Sequence, residues 1–85
     1  MSRKENSTLL RLPQVLAETG NRRSGFYQRI QDRLFPRPLK RGATSIWPAR
    51  EVEAMNEADI EGRTKAEKMQ LVADLESQRT PLAGD

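Results

Sequence analysis

The run Pro13-Gln14-Val15-Leu16-Ala17-Glu18-Thr19-Gly20-Asn21-Arg22-Arg23-Ser24-Gly25-Phe26-Tyr27-Gln28-Arg29-Ile30-Gln31-Asp32-Arg33-Leu34 decides the fold. Pro13 suits the first turn of a helix, where its missing N–H removes no hydrogen bond, and Gly20 is a C-terminal glycine that ends the run after about two turns. A helix so short needs a neighbour for Val15 and Leu16. Beyond the turn, Phe26, Ile30 and Leu34 recur at i, i+4, i+8 and give a second helix, Arg22 to about Leu34, a single inner stripe. Ser24, Gln28, Gln31 and Asp32 fall on the opposite side, with Tyr27 and Arg29 on the flanks. Asn21 is the expected N-cap of this helix. Two short helices about a glycine turn, the second polar on its outside, have the form of a helix-turn-helix.

Upstream, residues 1–8 lack periodicity and read as a flexible leader, with order beginning at Leu9, Leu10 and Leu12. Downstream, Pro36 and Pro38 forbid helix, and Leu39 to Trp47 reads as a small hairpin turning at Gly42. Pro48 at a first helical position opens a third helix, Ala49 to about Ile60, with Val52, Met55 and Ile60 facing in. Thr64 and Glu67 form a capping box that opens a fourth helix to about Gln78. Its apolar residues Leu71, Val72 and Leu75 make a narrow stripe, and residues 80–85 read as a tail. The chain divides into leader 1–8, a winged helix-turn-helix domain 9–60, a C-terminal helical segment 61–79 and the tail 80–85.

Eighty-five residues, 35% of them hydrophobic and 5% aromatic, allow one small domain with a thin core. Cysteine and histidine are both absent, which excludes disulfides, thiol nucleophiles, Cys/His zinc sites and imidazole chemistry. The carboxylates Asp32, Glu51 and Glu53 join no phosphate loop, nucleophile elbow or ligand set, so neither catalysis nor a metal or cofactor is expected. No signal peptide or membrane span is legible, and a cytoplasmic, nucleoid-associated protein with no membrane partner is expected. The net charge of +3 conceals a division: residues 1–50 hold 11 Lys/Arg against 3 Asp/Glu, and the remaining residues hold 4 against 9. The basic half implies a polyanionic partner, and double-stranded DNA is the expected one.

The chemistry of the elements agrees with that partner. A recognition helix meets the major groove by its N-terminal end, where free N–H groups favour phosphate, which places Arg22 and Arg23 at the duplex. Arg23 suits guanine and Gln28 adenine, Tyr27 offers a hydroxyl to phosphate, and Ser24, Gly25 and Arg29 complete the candidate helix surface. The candidate wing is Arg37, Lys40, Arg41, Thr44 and Ser45. If six cations meet phosphates, log K should fall against log salt with a slope of about −5. Alternatively, Arg29 and Arg33 lay their methylene stems along the apolar stripe, and Gln28 and Ser24 are merely solvated. Phe26, Ile30, Leu34, Phe35, Ile46 and Trp47 follow the inward period and read as core. The Leu71, Val72, Leu75 stripe reads as a surface for a homodimer, a higher assembly or a partner helix.

Leu10 to Gly20, Arg23-Ser24, Phe26-Tyr27, Leu34-Phe35-Pro36-Arg37-Pro38 and Ile46-Trp47-Pro48 with Glu51 to Ala54 resemble the AlpA family of phage-type regulators. The resemblance implies a mainly α, MerR-like or excisionase-like winged helix-turn-helix with a short β-hairpin wing and, in this chain, an additional C-terminal helix. It implies a transcriptional regulator of phage, prophage or mobile-element origin, with Arg22 to Arg33 as recognition helix and Arg37 to Trp47 as wing. Two other functions stay open at this level. One is an excisionase or recombination directionality factor that bends attachment-site DNA, with an integrase as partner, where the regulator would meet RNA polymerase. The other is a protein-interaction module without DNA binding. Where the family usually has Leu and then Ser after the glycine, this chain has Asn21 and Arg22, and Gly25 replaces a usual Thr.

Overall fold

The computed structural model describes residues 8–79, so the expected leader, apart from Thr8, and the tail lie outside the described residues. The elements run β1 (Leu9–Arg11), α1 (Leu12–Thr19), α2 (Arg23–Gln31), β2 (Leu39–Arg41), β3 (Thr44–Pro48), α3 (Ala49–Glu61) and α4 (Lys65–Ser77). This is a mainly helical winged helix-turn-helix with a fourth helix packed on it.

The wing carries one strand more than a hairpin. β3 lies at the centre of a three-stranded antiparallel sheet, with β2 on one side and β1 on the other. Leu9 stands opposite Pro48, Leu10 opposite Trp47 and Arg11 opposite Ile46. On the other edge Leu39 faces Ile46, Lys40 faces Ser45 and Arg41 faces Thr44. The two-residue loop between Arg41 and Thr44 has Gly42 at φ 61 and no positive φ at Ala43, the pattern of a type II′ turn.

The core forms where the inner stripes of the helices meet the Trp47 face of the sheet. Val15, Phe26, Phe35, Trp47, Val52, Met55 and Val72 are all buried there. Phe26 lies edge-on to Phe35 and Trp47, with centroids 4.8 and 5.3 Å apart, so one ring anchors α2 to the strand and to the segment before the wing. The Trp47 indole N–H donates to the Pro36 carbonyl at 3.0 Å, which satisfies a buried donor.

Several sequence expectations change at the element ends. α2 stops at Gln31 because Arg33 takes φ 62, and the Arg33 and Leu34 amides donate back to the Ile30 and Arg29 carbonyls, a Schellman closure built on a non-glycine residue. Arg22, not Asn21, is the N-cap of α2, and it makes no side-chain capping bond. Pro48 is the N-cap of α3, not its first helical residue. Ile60 is 83% exposed: α3 buries Val52, Met55 and Ala58, and a residue five past Met55 falls on the far side. Thr64 caps α4 as its sequence indicates, accepting from the Glu67 amide at 3.1 Å while Glu67 returns a bond to the Thr64 amide.

The apolar stripe of α4 is occupied within the chain. Val72 is 4% exposed in the common core, and Leu71 and Leu75 pack against that core. Thin apolar packing is reinforced by charge: Asp59 of α3 takes Lys68 of α4 at 3.2 Å and Arg29 of α2 at 3.4 Å.

Candidate nucleic-acid interface

The N-terminal end of α2 is open. Its first intrahelical bond runs from the Phe26 amide to the Arg22 carbonyl, so the amides of Arg23, Ser24 and Gly25 precede the ladder and no side chain among the described residues caps them. No acidic residue lies in this first turn. Arg22, Arg23, Ser24 and Gly25 are all exposed, and neither arginine has a carboxylate partner among the described residues. Uncapped amides and two arginines concentrate positive potential at one point, the arrangement that suits a phosphate oxygen.

Gly25 lies at the third position of the helix, and a methyl group built there would meet nothing within 4 Å. Glycine in a helix is unfavourable by about 0.5–1 kcal/mol relative to alanine, and no neighbour among the described residues requires it. Tyr27 is 44% exposed and leans its ring edge on Phe26, with centroids 6.0 Å apart, which orients the phenol outward. Gln28 donates to Asp32 at 3.1 Å across an exposed turn.

Arg29 is directed inward instead. Its guanidinium donates to the Leu34 carbonyl at 3.2 Å, pairs with Asp59 and lies 5.4 Å from the centre of the Phe35 ring. It therefore joins the C-terminal end of α2 to α3, and the reading that lays its stem along the stripe describes it. Arg33 is among the residues lining a groove between the end of α2 and α4.

The wing residues divide between two sheet faces, because side chains alternate along each strand. Lys40 and Ser45 share the Trp47 face, on which α2 packs, and the Lys40 ammonium donates to the Ser45 hydroxyl at 2.8 Å. Arg41 and Thr44 are on the opposite face. Arg11, two residues along β3 from Thr44 through its partner Ile46, shares that face with them. Nothing local in the sequence joins Arg11 to the basic surface, since only the pairing of β1 with β3 brings it near the wing. Arg37 stands at the wing entrance, its side chain 75% exposed but its tip 3.4 Å from Glu76 of α4.

Compared with known proteins, the chain has a decisive match: the family model for the prophage CP4-57 regulatory protein (AlpA) covers residues 8–57, 50 of its 85 residues. The chain belongs to the AlpA family. No curated protein and no solved structure matches it. The AlpA match begins at Thr8 just before β1, takes in both helices of the helix-turn-helix and the wing, and ends inside α3, so α4 lies outside it. Among the described residues there is no helix long and apolar enough to cross a membrane and no cluster of three metal-ligating side chains.

Proposed function

We propose that this AlpA-family protein is a sequence-specific binder of double-stranded DNA that regulates transcription by occupying promoter DNA or recruiting other proteins to it. The observation that carries this reading is the uncapped, acid-free N-terminus of α2 with Arg22 and Arg23 exposed beside it. α2 enters the major groove by that end, with Arg23, Ser24 and Gln28 toward base edges and Arg22 and Tyr27 toward phosphates. Lys40 and Arg41 grip the flanking backbone from the wing, and Thr44 and Ser45 support them.

Arg29 and Arg37 are left out of this set because Asp59 and Glu76 already engage their charges, which lowers the number of phosphate contacts. Arg22, Arg23, Lys40 and Arg41 have no carboxylate partner among the described residues. Four such contacts give a slope of log K against log salt of about −4. Fluorescence anisotropy on DNA from upstream of the gene, against a scrambled duplex at two salt concentrations, tests the reading. Preferential, salt-sensitive binding of the upstream DNA is the expected result. Absent binding, or binding equal on both duplexes and insensitive to salt, overturns it and favours a protein-interaction module.

A further inference from the structure

α4 clamps the joint between the recognition helix and the wing. The chain passes from α2 to β2 through Phe35, Pro36 and Arg37, and each polar backbone group at its centre is held by a different element. Trp47 of β3 takes the Pro36 carbonyl at 3.0 Å. Glu76 of α4 accepts from the Arg37 amide at 2.8 Å. Arg79, two residues past α4, donates to the Arg37 carbonyl at 2.7 Å. Arg79 is itself fixed by a two-pronged bond to Glu51 of α3, at 2.7 and 2.9 Å, with the Glu51 side chain 1% exposed. The other end of α4 is tied through Lys68 and Asp59 to Arg29 of α2.

We infer that Glu76 and Arg79 are positioning residues for DNA binding, setting the wing at a fixed angle and distance from the recognition helix so that both reach one duplex together. The inference rests on the DNA-binding reading above. Two linked contact surfaces gain affinity from each other only when their spacing matches the span between their sites. A loose joint makes the wing contribute less, because each binding event must then order it. α4 thus serves the interface without touching DNA, and the segment beyond the AlpA match has a role inside the domain.

The test crosses α4 variants with interface variants, using anisotropy on the preferred duplex with the full chain. Glu76→Ala removes both the acceptor and a charge. Glu76→Gln removes the same charge but keeps an oxygen for the Arg37 amide. In the wild type, Lys40→Ala is expected to weaken binding several-fold. In the Glu76→Ala background that penalty is expected to shrink to less than twofold, whereas the Arg23→Ala penalty stays unchanged and Glu76→Gln retains the full Lys40 effect. Amide exchange at Arg37 and through the hairpin should rise in Glu76→Ala with the α1 amides unmoved. If Glu76→Ala fails to fold, Glu51→Met combined with Arg79→Met releases the Arg37 carbonyl without stranding a buried charge and serves in its place. Equal Lys40→Ala penalties in braced and unbraced backgrounds overturn this inference alone. A wild-type protein that binds no DNA overturns the reading beneath it.

Discussion

Arg79 closes a two-pronged ion pair on Glu51, a fully buried residue in the first turn of α3 and 28 residues away in sequence. A buried pair of this kind gains little over well-packed apolar residues, because desolvating two charges offsets most of their attraction, but removing one partner strands the other. Arg79→Met is therefore expected to lower the unfolding free energy by about 3–5 kcal/mol. Adding Glu51→Met should recover most of that loss, as read by urea denaturation of both variants. A double variant as unstable as the single one would show that the pair itself, not the stranded charge, carries the stability.

Gly25→Ala should separate stability from binding. Space for the methyl group is open and the backbone is already helical, so the substitution is expected to raise stability by about 0.5–1 kcal/mol. If the bare backbone here lies against DNA, the same methyl group weakens binding to the preferred duplex. Denaturation and anisotropy on one preparation check both signs, and unchanged affinity would remove the close approach from the interface.

Local signals carried the elements, and long-range ones were invisible. Pro13, Gly20, the Phe26 and Ile30 spacing, Gly42 and the Thr64 to Glu67 box each act within a turn or two of themselves, and each element they marked is present. β1 is three residues long and exists only because β3 pairs with it from 37 positions away at Leu10 and Trp47. The α4 stripe has the look of an interface in sequence because Val72 and Leu75 have no neighbour until the whole core assembles. Glu76 and Arg79 carry no local sign at all, since their partners Arg37 and Glu51 lie on other elements. For the site, the open end of α2 was legible from Arg22 and Arg23. The inward turn of Arg29 is not local: a flank position on the helix allows either direction, and Leu34 and Asp59 decide it.

Arg33 is the one non-glycine residue with positive φ among the described residues, at 62 degrees. A side chain in this left-handed region is strained by contact of its Cβ with the following carbonyl. Arg33→Gly keeps both closing bonds of α2, which are made by backbone amides, and is expected to stabilise the protein by about 0.5–1 kcal/mol. Thermal unfolding checks it, and an equal or lower midpoint would mean that the arginine stem contributes packing in the groove beside α4 worth as much as the relieved strain.

Asn21 is buried at its side-chain nitrogen, which has no hydrogen-bond partner among the described residues. The turn does not depend on that amide: Asn21 donates its backbone N–H to the Thr19 hydroxyl at 3.4 Å, and Thr19 in turn donates to the Val15 carbonyl at 2.8 Å. Since Arg22 rather than Asn21 precedes the first helical residue of α2, the side chain also performs no capping. An unsatisfied buried donor costs about 1–3 kcal/mol, whereas an apolar group of similar shape carries no such penalty. Asn21→Leu is therefore expected to raise the unfolding free energy by about 1–2 kcal/mol without altering the exposed end of α2. Denaturation gives the stability change, and anisotropy on the preferred duplex should be unmoved. No gain in stability would show that the buried Asn21 amide carries no unsatisfied-donor penalty in the folded chain.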